Sequence, residues 1–272
     1  MMILQNKNAI IYGVSSSLGG TVAESLAAAG ATVFVTNKNL RPAQEVADKI
    51  IAAGGKAYAG IVDAMDEDSI GKHIEFVHNN AGSVDISFNL IGIKNVQNIP
   101  LTNMSLKDFI SPIYDAMHTQ FLTMTAAGRI MKNQKSGVIL SLTATPGGIG
   151  YAMVGGFGPV CCAVESLSRD LAAELGPFNV RVVNIRSAGS PDSRPFKEFM
   201  ATETDEAASF LQKIVDDTML NQLPLMQDIA NTAVFLGSDM AGKITGVTID
   251  VTAGTTAALN YKTTNPAFLN GN

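Results

Sequence analysis

The sequence predicts an α/β protein: a doubly wound parallel sheet of about seven strands in a single domain. Three observations carry that reading. Short apolar runs alternate with windows of helical spacing from end to end. The 272 residues are 46% hydrophobic and 16% charged, which suits a sheet covered on both faces. A turn rich in small residues, Gly13 to Gly20, follows the first apolar run and opens straight into a helical window.

Taken in order, residues 9–12 read as the first strand and 18–29 as the first helix. Residues 32–35 are the second strand, 42–53 a helix, 57–62 the third strand and 67–77 a helix. Residues 84–91, 138–142, 180–185 and 247–251 complete the sheet. Such alternation implies right-handed crossovers. The string Asn79-Asn-Ala-Gly82 precedes the fourth strand and reads as a helix C-terminal turn, with Gly82 or Asn80 at positive φ. Residues 187–223 are too long for a plain connector. Pro191, Pro195 and a helix-like stretch at 207–220 predict a lid over the site. One domain over 1–260 and a frayed tail at 261–272 follow.

A formal charge of −5 and a pI near 5.2 argue against a nucleic-acid surface or a membrane-binding basic patch. No apolar run is long enough to span a bilayer, and the first residues lack the features of a secretory signal. Cys161 and Cys162 are adjacent and cannot staple distant segments. A cytoplasmic protein without a metal site is expected.

The first turn, Tyr12-Gly-Val-Ser-Ser-Ser-Leu-Gly19, lets a pyrophosphate approach backbone N–H groups at a helix N-terminus. It resembles the Thr-Gly-x-x-x-Gly-x-Gly loop of the short-chain dehydrogenase/reductase family, with Tyr12 for Thr and Ser17 for the middle Gly. Residues 181–189, 228–239 and 244–246 resemble that family's sixth strand, last helix and seventh strand. A Rossmann-type fold is implied over nearly the whole chain.

The resemblance places cofactor contacts at Gly13, Ser15, Ser16, Ser17 and Leu18, at Asn37 and Lys38, at Asp63 and Ala64, at Asn89, Leu90 and Ile91, and at Ser187 and Ala188. Asp63 stands where the family's Asp takes the adenine amine; capping the following helix is its other reading. Asn37 is neutral where NAD-preferring relatives carry a carboxylate, and Lys38 and Arg41 follow. Cation beside amide favours NADP(H) over NAD(H).

Residues 137–147 and 155–175 resemble the family's active-site strand and helix, but without their reactive side chains. Aligned on Ala163-Val-Glu and Leu171-Ala-Ala-Glu, the family's Ser falls on Ala144, its Tyr on Phe157, its Lys on Cys161 and its Asn near Ala116. None of these can take its counterpart's part in moving a proton. Thr143 and Thr145 flank Ala144, and strand alternation turns adjacent residues to opposite faces. Tyr151 is a possible substitute acid; His118 and Cys161 are weaker candidates. An oxidoreductase of atypical substrate, such as an iminium ion, or of atypical mechanism is one reading. A non-catalytic NADP(H)-binding sensor or partner, or a non-redox enzyme reusing the pocket, is the other. The family also implies a homotetramer or homodimer built on the fourth and fifth helices, burying Val164, Leu167 and Leu171 in part.

Overall fold

The computed structural model describes residues 2–201 and 205–258. Seven parallel strands run β1 Asn8–Tyr12, β2 Thr32–Asn37, β3 Lys56–Ile61, β4 Ile86–Asn89, β5 Gly137–Ala144, β6 Val180–Ser187 and β7 Thr248–Val251. Their order is β3-β2-β1-β4-β5-β6-β7. The order reverses between β1 and β4, and open α/β sheets bind ligands in the crevice at such a reversal.

The two sides of the sheet carry separate cores. α1 Leu18–Ala28, α2 Leu40–Ala52 and α8 Met226–Gly237 pack on one side around Ile11, Val33, Leu140 and Leu236. α3 Glu67–Ala81, α4 Leu106–Gln134 and α5 Phe157–Leu175 cover the other, around Ile10, Phe34, Met131 and Ile139. β1 is buried at every position. That explains a run with no polar alternation: both of its faces are covered.

Gly82 ends α3 at φ 85°, and its N–H donates to the His78 carbonyl. The Asn-Asn-Ala-Gly string is therefore a helix stop, as its place before a strand implied. The long connector holds two helices, α6 Arg194–Met200 and α7 Asp205–Asp216; the sequence pattern found only the second. α9 Thr255–Ala258 follows β7. The tail 261–272 lies outside the described residues. Val164 and Leu171 are each less than a tenth exposed within the single chain. They pack into this chain's own core, while Leu167, named with them, is only partly buried.

Candidate functional site

Two cavities open along the carboxyl edge of the sheet. The first, of about 430 Å³, is lined by Gly13, Asn37, Lys38, Asp63, Ala64 and Ile91, six of the residues expected to touch a cofactor. Tyr12, Lys94, Ala116 and Thr119 join them. Gly13 is needed here twice over. Its φ is +78°, and a Cβ would sit 2.7 Å from the Ile91 Cα.

The Asn37 side chain is committed to the loop. Its Nδ2 donates to the Val14 carbonyl at 2.8 Å and its Oδ1 accepts from Asn39 N at 3.0 Å. Lys38 is thus the group at this corner left to meet a ligand. Arg41 turns along α2 to Glu45 at 2.8 Å, and that hydrogen bond, with the charge behind it, holds its guanidinium above its ordinary range. The second cation of the cavity is instead Lys94, five residues beyond Asn89. Sequence reading missed it because no motif extends that far.

Asp63 accepts from Met65 N at 3.0 Å, while Asp66 caps α3 by accepting from Asp68 N. The capping role foreseen for Asp63 belongs to Asp66. Asn89 is buried and braces the strand exit: Nδ2 donates to Thr123 Oγ1 and Oδ1 accepts from Ile91 N, both at 3.0 Å. Ser15, Ser16, Leu18, Leu90 and Ser187 line neither cavity. Nor does Ser17, whose Oγ lies 3.6 Å from the Met226 sulfur and accepts from Arg194 N at 3.5 Å. It ties the first turn to α8 and α6.

The second cavity, of about 650 Å³, sits over the relay positions. Ala144 and Phe157 line it, with Thr145, Tyr151, Ala188 and three residues of α6 and α7, Phe196, Phe210 and Ile214. Strand alternation had turned Thr145 away. However, β5 ends at Ala144 and Thr145 opens a single 3-10 turn, so alternation no longer applies and both residues face the cavity. Ala116 belongs to the first cavity, not to this one.

Cys161 lies beneath the cavity, about 1% exposed, with its Sγ 3.5 Å from the Ala144 N–H. Burial pushes its thiol up to about 11, so it is an inert packing group at neutral pH. His118 points its Nε2 at the Met65 carbonyl, 3.0 Å away, and lines neither cavity. Tyr151 remains. The Lys213 ammonium of α7 is held above its ordinary range by Asp217 at 2.7 Å and, more weakly, by Tyr151.

One rim of this cavity is strained. Asn98 and Met153 both take left-handed backbone, at φ 64° and 61°, and Asn98 N donates to the Met153 carbonyl at 2.8 Å. A Met there is uncommon, and such outliers gather at ligand sites. Under the Thr145–Gly147 turn runs a buried polar chain. Glu165 meets Arg186 at 2.6 Å and accepts from Thr143 at 2.9 Å, while Arg186 reaches Asp250 at 3.0 Å. A Cβ at Gly147 would collide with the Glu165 carboxylate. The glycine turn therefore lies directly on this ion pair.

Residues 13–256 match the model of a family described as enoyl-(acyl carrier protein) reductase. The 3-oxoacyl-[acyl-carrier-protein] reductase FabG of Aquifex aeolicus is 29% identical, over 92% of this chain and 98% of that one. L-rhamnose 1-dehydrogenase (NAD(P)(+)) of Azotobacter vinelandii is 30% identical over 93% and 98%. The structure of a 7α-hydroxysteroid dehydrogenase in complex with NADH and 7-oxo glycochenodeoxycholic acid superposes with a TM-score of 0.80 at 29% identity, covering 93% of this chain and 95% of that one. Fold, glycine turn and whole-length similarity agree: the chain belongs to the short-chain dehydrogenase/reductase superfamily of oxidoreductases.

Proposed function

We propose that the chain is an NADP(H)-dependent oxidoreductase in which Tyr151 supplies the proton that no residue at the relay positions can. The observation that carries this is the second cavity: Ala144, Phe157 and Tyr151 share its wall, and Tyr151 brings the only phenol among its described lining residues. The first cavity fits the other end of the cofactor. Gly13 admits close backbone approach, Asp63 offers an acceptor, and Lys38 and Lys94 offer cations to a 2′-phosphate.

When bound, a reduced nicotinamide supplies hydride to the carbonyl carbon. The protein's share is positional. Thr145 holds the substrate oxygen beside Ala144. Tyr151 gives its hydroxyl proton to that oxygen and, being 37% exposed, recovers one from solvent. α6 and α7 keep bulk water from the reacting carbon.

The test is NADPH oxidation with a panel of ketones and a cyclic imine, for wild type and Tyr151→Phe. Ketone turnover that Tyr151→Phe abolishes supports the assignment, and turnover that survives it overturns the assignment. Turnover of a protonated imine alone would mean that the protein supplies no proton at all.

Two further proposals follow the family. The chain forms a homodimer or homotetramer through α4, whose Leu106, Ile110, Tyr114 and Phe121 make an exposed apolar stripe. Light scattering showing only a monomer would reject it. The setting is the cytoplasm, consistent with two free cysteines and with no helix among the described residues long and apolar enough to cross a membrane.

A further inference from the structure

We infer that the second cavity takes a neutral, largely hydrocarbon ring compound bearing one polar group at the end that meets Thr145 and Tyr151. This rests on the oxidoreductase reading above and names its substrate class. Among the described residues lining the cavity there is no Asp, Glu, Lys, Arg or His. A carboxylate or phosphate brought in would lose its water and meet no countercharge, which is strongly unfavourable in a low-dielectric site. Lys213, the cation near Tyr151, is not in the lining and is already paired with Asp217.

A polyol fares no better. Each hydroxyl needs a partner once dehydrated, and the polar side chains of the lining are few. Thr255 is already spent, donating to the Thr252 carbonyl at 2.8 Å. Gln97, Asn98 and Tyr151 join Thr145 as the polar members. These few polar groups, set in a mostly apolar lining, match a substrate with one oxygen better than a polyol whose every hydroxyl must be met.

The remaining wall is apolar and flat. Phe157, Phe196 and Phe210 contribute rings, with Ile214 and Leu223 between them. Gly189 leaves part of the lining without a side chain. A Cβ at Gly189 would overlap the Phe196 ring, so the ring settles against bare backbone. About 650 Å³ falls within the usual range for small-molecule sites and leaves room for a fused-ring substrate beside a nicotinamide.

The experiment uses the full chain without cofactor. With no Trp in the sequence, the neutral solvatochromic dye Nile red is the probe. It should bind saturably with a blue shift, be displaced by a neutral steroidal ketone, and resist sorbitol 6-phosphate and a fatty-acid anion at the same concentration. Phe210→Glu, at an exposed rim position, should weaken dye and ketone by roughly tenfold or more. Its affinity for adenosine 2′,5′-bisphosphate should stay unchanged, which shows that the variant is folded. Displacement by the anion or the sugar phosphate as readily as by the ketone would overturn the inference, as would a Phe210→Glu variant that binds the ketone normally. Loss of nucleotide binding in wild type, with dye and ketone binding intact, would sink the NADP(H) reading and leave this one standing.

Discussion

The two cavities lie on one edge of one sheet, yet they differ in almost every chemical respect. The first presents Lys38, Lys94, Asp63 and Asp115; the second has no charged lining residue among those described. The first gathers six of the residues expected to touch a cofactor, whereas the second places Ala144 and Phe157 where the family resemblance leads one to expect a serine and a tyrosine. Topology fixes where a ligand can sit, and the residues at the strand ends fix what it can be. Site and chemistry are thus separable, and the contrast can be broken from either end.

The largest effect is expected beneath the apolar cavity. Glu165→Ala leaves Arg186, only 13% exposed on its side chain, beside a half-exposed Asp250, and should cost about 3–5 kcal/mol of stability. Urea unfolding measures it. A Glu165→Leu/Arg186→Leu double variant should recover most of the loss, because what destabilises is the uncompensated charge. Tyr151→Phe comes next, lowering carbonyl reduction by roughly 10²–10⁴ with nucleotide affinity unchanged. Equal losses in both would erase the distinction between the two ends.

Sensitivity to mild acid should reside on the nucleotide side. His73 of α3 packs on Gly60 of β3, its Nδ1 has no partner, and burial lowers it to about 4. The unfolded chain therefore binds this proton more readily than the folded one. The full contribution is present above the ordinary His value and is lost as pH falls toward 4, by at most about 3 kcal/mol. His73→Leu should flatten that part of the stability–pH curve. The smallest effect is Lys38→Asp, which should remove a preference for NADP(H) of roughly tenfold, read by nicotinamide fluorescence. Equal affinity for both cofactors in the wild type would remove the argument from Lys38.

The nucleotide end was legible because backbone constraints write it: Gly13 for its positive φ, Asp63 after a strand, Asn89 at a strand exit. The expected relay positions were read as absences, and the fold brings two of them, Ala144 and Phe157, onto one cavity wall. What escaped notice depended on where a strand stops or how a side chain turns. Thr145 joins the site because β5 ends one residue earlier, and Asn37 and Arg41 spend their polar groups on neighbours. Lys94 reaches its cavity, and Glu165 and Arg186 meet their partners, only through the folded topology, across 64 residues in the case of Arg186 and Asp250.

Cys161 limits what could be built into this end of the molecule. Its slot fits a thiol, closed by the Ala144 backbone and near enough to Arg186 to feel its charge. A lysine placed in that slot would have to extend past the strand end while repelled by a guanidinium already anchored on Glu165. Installing Ser, Tyr and Lys at 144, 157 and 161 would therefore ask for a change at Arg186 or Glu165 as well.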